Sequence, residues 1–252
     1  MGVAVDVIQA YFKDLAAGGG MNLSIVYDPY DRGRFITGIV TTIKLSAMCL
    51  VLSVLFGVLG AWLQDSRSAV VRRCVQGYVQ FFRNTPPLVQ LYFFYFAIGG
   101  VLPRILDQHG ALVPPVSNFA WAVISFSLFA GAFNIEIFRA GIQAVPAATV
   151  EAAEALGYTR FQIFARIVLP LAFRISLPAL NNNLINLVKT TTLAYAIGVP
   201  ELVYAAAQIW SESMNVRAMM NVLLVCYVAL IGVLVLVMSR WERAIRIPGY
   251  TP

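Results

Sequence analysis

Charge is what this sequence has least of: only 12% of its 252 residues are Asp, Glu, Lys or Arg, against about 25% in an average soluble domain. Hydrophobic residues make up 60%, and the mean hydropathy is +0.76. A bilayer's hydrocarbon core takes about 20 apolar residues per helical span, and several windows reach that length with few charges. A soluble helical core does not account for such runs, so the chain reads as a polytopic membrane protein.

Catalytic and metal-binding vocabulary is missing too. Histidine occurs once, at His109 beside Asp107 and Gln108. This excludes a bis-histidine haem or HExxH zinc site within the chain and suits a solvated loop residue. The cysteines form neither a CxxC metal site nor a disulfide framework, since Cys49 and Cys226 lie in apolar segments and Cys74 in a basic loop. No Walker A sequence, GxxxxGK followed by Ser or Thr, is present, so neither ATP hydrolysis nor a bound cofactor is expected of this chain. Nor does any nucleophile and base pair mark an intramembrane enzyme. The N-terminus lacks a basic region, apolar stretch and small-residue cleavage site in succession, so no cleavable signal peptide is expected. Val3 to Ala17 instead spaces apolar side chains at helical intervals around Asp6, Lys13 and Asp14, as a surface-lying amphipathic helix does. Gly18-Gly19-Gly20 follows as a hinge, with Met21 after it as an alternative start.

What is present is apolar length. Five spans are expected, at about Phe35 to Leu63, Leu88 to Leu106 with a helical lead-in from Val75, Phe119 to Phe138, Leu171 to Val188 and Met219 to Met238. Leu106 to Ser117 reads as a loop punctuated by Pro114 and Pro115. The simplest organisation is an extension over 1–34, one membrane domain over 35–240 and a tail over 241–252. Basic residues cluster after span one (Arg67, Arg72, Arg73), after span three and at the start of span four (Arg139, Arg160, Arg166, Arg174) and in the tail (Arg240, Arg243, Arg246). The other side holds Lys13, Arg32, Arg34, Arg104 and Arg217. The positive-inside rule then expects the N-terminus outside and the C-terminus in the cytoplasm. The net charge of +6 is mostly this asymmetry and gives no independent support for a nucleic-acid partner.

The most polar interruption is EAAEALGYTRFQIFARIVLP, Glu151 to Pro170. Pro146 suits a first helical position, Ala147 to Leu156 are good helix formers, and Gly157 is placed to end the helix in a left-handed cap. Thr159 caps a second helix from Arg160 to Leu169, which Pro170 is expected to interrupt. Glu151 and Glu154 share one face, Ala148, Ala152 and Ala155 another, and Phe161, Phe164, Ile167 and Val168 form an apolar stripe. Two readings stand open: a loop helix with a solvated charged face, or an element that packs with one half and offers the other to a partner.

Polar residues within spans raise the same choice. Lys44 reads as a snorkelling lysine, and Glu136 as an ion pair with Arg139 three residues on. Asn181, Asn182, Asn183 and Asn186 gather amides in span four, and Lys189 with Thr190, Thr191 and Thr192 extends the polar run. Asn182, Asn186 and Lys189 fall at i+4 and i+3 spacings on one stripe, which suits either substrate contact or hydrogen bonds to neighbouring helices. Arg83-Asn84-Thr85-Pro86-Pro87 marks a kink or a helix start, with Pro86 and Pro87 as candidate hinge residues.

Four stretches together carry a resemblance. The spacing Glu151-Ala152-Ala153, Gly157, Ile167, Leu169-Pro170 resembles the EAA motif of permease subunits of bacterial ATP-binding-cassette importers. FFRNTPPLVQLYFFYF, NIEIFRAGIQAVP and LVKTTTLAYAIGVPEL (starting at Phe81, Asn134 and Leu187) are similar to the polar amino acid uptake branch of that family. The likeness runs from about Thr37 to Arg240. It implies an all-α integral membrane protein with the type I importer permease fold, five transmembrane helices and a cytoplasmic coupling helix within 146–170; the amphipathic N-terminal extension lies outside the likeness. It further implies a multi-pass subunit of the bacterial inner membrane that pairs with an identical or homologous permease. A separate ATPase would hold ATP and Mg, and an external substrate-binding protein would deliver a polar amino acid or related compound. Glu151 would contact that ATPase, Ala152 and Ala153 would permit close approach, and Gly157 would make the bend. An ion-gradient-driven transporter or channel is the competing class; it predicts inverted repeats and ion-coordinating carboxylates in the spans, and neither is evident.

Overall fold

The structure is a computed structural model that describes residues 2–18 and 22–245. Gly19 and Gly20 of the expected hinge, Met21, Arg246 and the rest of the tail lie outside these residues. In chain order the helices are α1 (Gly2–Ala17), α2 (Ser24–Tyr27), α3 (Pro29–Gln64), α4 (Ala69–Asn84), α5 (Pro87–Tyr92), α6 (Gly99–Val101), α7 (Asn118–Gln143), α8 (Ala147–Ala155), α9 (Arg160–Ile163), α10 (Leu169–Thr190), α11 (Leu202–Ser213) and α12 (Val216–Ile245). Four helical stretches are long and apolar enough to cross a membrane: Pro29–Gln64, Asn118–Gln143, Arg160–Ile197 and Val216–Ile245. The expected second span, Leu88 to Leu106, is a shorter apolar helix, Pro87–Val101, widened into a π-helix over Phe93–Ile98. It stops at Val101 because Leu102 turns extended ahead of Pro103, and a residue before proline is disfavoured in helix.

The expected loop from Leu106 is in part a hairpin of β1 (Ile105–Leu106) and β2 (Leu112–Val113), with Ile105 opposite Val113. Its turn is held by the Asp107 carboxylate, which accepts from the backbone N–H of His109 and Ala111, both at 2.8 Å. This is the local side-chain-to-backbone bonding that aspartate favours in turns. His109 is exposed there.

The first span begins earlier than Phe35. Asp28 accepts from Tyr30 N–H at 2.9 Å and Pro29 starts the helix, a combination that satisfies one orphan donor and removes another. Helix α3 packs lengthwise on α7 through missing side chains. A Cβ at Gly57 would lie 2.5 Å from the Asn134 Cβ, and one at Gly60 would overlap the Ile135 side chain. With no hydrophobic drive between helices in lipid, close backbone contact of this kind supplies the dispersion that holds them. Leu45, Cys49, Leu91, Phe126 and Leu187 are buried where α3, α5, α7 and α10 meet. Helix α12 buries only Ala218 and Met219, so its apolar length faces outward.

Candidate functional site

Two structures of interest share one helix. A helical run extends without a break from Arg160 to Ile197, passing from α9 through a π-helical turn (Phe164–Val168) into α10 and a 3-10 turn (Thr191–Ile197). The interruption expected at Pro170 does not occur. Proline costs a helix one N–H and clashes with the carbonyl four residues back, and a wider π turn beside it is one way to absorb both.

The strip, Glu151 to Pro170, begins before this run and forms its first turns. Pro146 is the residue before the helix rather than its first, with φ −59 and ψ 134, and α8 follows. Gly157 takes φ 82; its N–H donates to Glu154 O at 2.9 Å and the next, from Tyr158, to Ala153 O at 3.2 Å. Those two bonds are the Schellman ending of a helix, which needs a left-handed residue. Thr159 then opens α9 with a capping box: its hydroxyl accepts from Gln162 N–H, and its own N–H donates to the Gln162 side chain at 2.9 Å. Ala153, Ile163 and Val168 are buried together with Val150, Phe164 and Ile167 packed round them. The strip is thus a folded unit with its own small core. Phe161 departs from the expected stripe, being 79% exposed, and Ile163 takes its place because the π turn shifts the inward face. Ala153 faces inward, while Glu151, Ala152, Glu154, Ala148 and Ala155 are exposed, as are Leu169 and Pro170. Neither glutamate joins an ion pair among the described residues.

Farther along the same run lies a cavity of ≈ 630 Å³. Asn182, Asn186, Lys189 and Thr190, the four residues singled out from the sequence, all line it, facing Phe129 and Phe133 of α7. The other amides do different work. Asn183 donates to Ala130 O at 3.2 Å and to the Asn134 side chain at 2.7 Å, and Asn181 donates to Glu242 at 2.9 Å. Asn181 and Asn183 therefore fasten α10 to its neighbours, Asn183 from within the cavity wall, while Asn182 and Asn186 present amides to the cavity. The Thr190 hydroxyl donates to Asn186 O at 2.9 Å, leaving its oxygen lone pairs as acceptors.

A second cavity, ≈ 360 Å³, lies nearer the strip and is lined by Arg83, Glu136 and Ser176 among others. The expected pair forms there, Arg139 donating to Glu136 at 2.6 Å. Arg83, whose partner the sequence did not indicate, approaches the same carboxylate at 3.9 Å. Arg83 lies in the last turn of α4, a longer helix than the lead-in expected from Val75, and Thr85 and Pro86, both extended, separate α4 from α5, which Pro87 begins. Gln90 holds this bend: its side-chain N–H2 donates to Phe82 O at 2.9 Å, Thr85 O at 3.0 Å and the Thr85 hydroxyl at 2.6 Å. It satisfies the Phe82 carbonyl, whose N–H partner four residues on would be Pro86, and ties it to the extended Thr85. Lys44 is exposed on α3.

One further carboxylate has no counterpart in the sequence expectations. Glu201, 1% exposed, lies between the long apolar helices and caps α11, accepting from Val203 N–H and Tyr204 N–H at 2.9 Å each and from the Tyr227 hydroxyl at 3.1 Å. Burial pushes its carboxyl up to about 7, against the opposing pull of those three bonds. An acid directly before an apolar helix was the available signal.

Known proteins share this architecture. The family model of the binding-protein-dependent transport system inner membrane component matches residues 35–246. A Rickettsia typhi protein assigned to a glutamine transport system as its permease is 35% identical over 196 residues, 78% of this chain and 85% of that protein. The glutamate/aspartate import permease of Escherichia coli K12 is 29% identical over 215 residues, 84% and 87% of the two chains. Among solved structures, an amino acid ABC transporter crystallised with histidines superposes with a TM-score of 0.73 at 29% identity, covering 84% of this chain and 94% of that one. These relatives give no support to the ion-gradient alternative. A continuous helix joining a capped strip to a polar cavity, within a matched region of this extent, is therefore that of a type I importer permease, and the chain belongs to the family of binding-protein-dependent transport system inner membrane components.

Proposed function

We propose that this permease carries a polar amino acid or closely related compound across the inner membrane. Asn182, Asn186, Lys189 and Thr190 line its path, and the strip around Glu151 receives the force of a separate ATPase. The observation that carries this reading is the unbroken helical run from Arg160 to Ile197, because a displacement of the strip becomes a displacement of the cavity wall. Two relatives are described as serving glutamine and glutamate or aspartate. Those cargoes share an α-carboxylate and an α-ammonium and differ in the side chain. The Lys189 ammonium suits the shared carboxylate, and the Asn182 and Asn186 amides suit either side chain.

The chain works with an identical or homologous permease, ATPase subunits that hold ATP and Mg, and an external substrate-binding protein. Basic loops set the strip on the cytoplasmic side and the N-terminus on the periplasmic side. When two ATPases close on ATP they draw two strips together, and the paired permeases rock between inward-open and outward-open states. In this scheme Glu151 is the charged contact, Ala152 allows close approach, Ala153 and Gly157 keep the strip folded, and Leu169 and Pro170 join it to α10. Pro86 and Pro87 provide the hinge that lets α4 and α5 move separately.

The test is reconstitution with the partner subunits and Glu151→Lys. Uptake and transport-stimulated ATPase activity are expected to fall together while cargo binding to the external protein persists. Unchanged uptake would sink the coupling role.

A further inference from the structure

The two cavities are neighbours divided by a wall. Phe133, Ile137 and Ala179 line both of them. Ala179 and Lys189 stand on the same helix, separated by a rise of about 15 Å. The cavity away from the strip therefore holds its cation at one end, and the strip-side cavity begins where that cation no longer reaches.

The strip-side cavity has a cation of its own. Arg83 lies over the Phe133 ring, its guanidinium carbon 5.3 Å from the ring centre. Its nearest carboxylate oxygen, on Glu136, is 3.9 Å away, too far for a hydrogen bond. That same oxygen is already taken by Arg139 at 2.6 Å, and the other Glu136 oxygen faces Gln64 at 3.4 Å. Two guanidinium groups thus share one carboxylate, leaving one positive charge in excess, and Arg83 is the group whose donors are uncommitted among the described residues. An arginine with an open fork beside a small cavity is a carboxylate receptor by geometry. At ≈ 360 Å³ the space falls within the roughly 300–1,000 Å³ of small-molecule sites.

We propose that the strip-side cavity is a second station for the carboxylate of the cargo, with Arg83 as the group that receives it and Phe133 as the partition between the stations. This rests on the reading that the cargo is an amino acid. The carboxylate leaves Lys189, passes Phe133 and is met by the Arg83 fork; Arg83 trades its loose contact with Glu136 for the incoming group, and the Glu136 carboxylate remains paired with Arg139. The contact of Arg83 with the Phe133 ring couples arrival of the anion to movement of the partition, because the cation that stabilises the closed ring position is drawn to the carboxylate.

The experiment uses the assembled complex in nanodiscs with Ala179→Cys in a Cys74→Ser background, the reactivity of the Cys74→Ser parent being subtracted. The probes are an anionic and a cationic methanethiosulfonate, differing in a sulfonate or trimethylammonium end. Arg83→Gln is expected to lower the ratio of anionic to cationic reaction rates about a hundredfold, because removing one unit charge about 12 Å away at an effective dielectric near 20 slows the anionic reagent and speeds the cationic one about tenfold each. Arg83→Lys is expected to keep the ratio within about twofold, and an unchanged ratio in Arg83→Gln overturns the proposal. A second arm leaves Arg83 intact: acetate is expected to slow the anionic reagent more than methylammonium does at equal ionic strength, and equal effects overturn the proposal as well. Uptake separates this inference from the one it rests on. A wild-type complex that shows no ATP-driven amino acid uptake refutes the proposed cargo, whereas normal uptake by Arg83→Gln beside an active wild type refutes the second station alone.

Discussion

Asn183 on α10 donates its side-chain amide to the side-chain oxygen of Asn134 on α7 at 2.7 Å, so a pair of amides clamps the two helices on either side of the polar cavity. The neighbouring Asn182 is exposed to that cavity and has no part in the clamp. The two positions predict opposite phenotypes. Asn183→Leu is expected to lower stability by about 1–2 kcal/mol, seen in the thermal unfolding of the purified chain in detergent. Asn182→Leu is expected to leave unfolding within about 0.5 kcal/mol of wild type and to reduce uptake in proteoliposomes.

Glycines on α3 separate in the same way. Gly57→Ala places a Cβ 2.5 Å from that of Asn134, backed by the Phe138 ring at 3.0 Å, and neither wall of the contact is a flexible chain end. A loss of about 1–3 kcal/mol is expected from the overpacking. Gly33→Ala meets nothing within 4 Å and gains helix propensity, so it is expected to stabilise by about 0.5–1 kcal/mol. Denaturation midpoints of the two variants should move in opposite directions.

Gly157 has open space around it but φ 82, so a substitution there is strained by its backbone alone. Gly157→Ala is expected to cost about 1–2 kcal/mol within the strip, while Gly157→Asn, which tolerates the left-handed region, costs less. Transport-stimulated ATPase activity of the reconstituted complex should follow the order Gly, Asn, Ala, with basal ATPase activity unchanged.

Glu201 brings a pH dependence. Its folded carboxyl titrates at about 7 against a usual value of 4.5, so the folded state holds the proton more tightly than the unfolded chain. The corresponding stability is fully present below about pH 4.5, falls as pH rises to about 7 and is flat above, a span on the order of 3 kcal/mol. Thermal unfolding between pH 4.5 and 8 should show that decline, and Glu201→Gln should remove it. A decline of equal slope in the Gln variant would assign it to another group.

Local signals made the strip legible. Gly157 and Thr159 act on bonds within a few residues of themselves, and those bonds exist as the sequence suggests, while Pro146 falls one position earlier than expected, before the helix. The stripe of Asn182, Asn186 and Lys189 was legible for a similar reason, since one helical period set its direction. What stayed hidden depends on residues far apart in the chain. The 3.9 Å approach of Arg83 to Glu136 and the cluster of Glu201 with Tyr227 require helices that only folding brings together. Phe161 misled because the stripe assumed regular helix through Phe164–Val168, where the backbone is wider. Gln90 stood in an apolar run as a lone amide, and its three bonds follow from a bend whose geometry was not readable.

The wide turn at Phe164–Val168 also sets an angular phase. Because each residue of an α-helix advances about 100° round the axis, an extra residue would turn the rest of the helix off its face unless a wider turn absorbs it, as the π turn does here. The strip and the stripe of Asn182, Asn186 and Lys189 are therefore keyed to each other like teeth on one shaft. Deleting a single residue between Phe164 and Val168 would close the turn to regular helix and leave the amides facing the cavity, whereas deleting one from the regular helix between Leu171 and Leu180 would point them about 100° away.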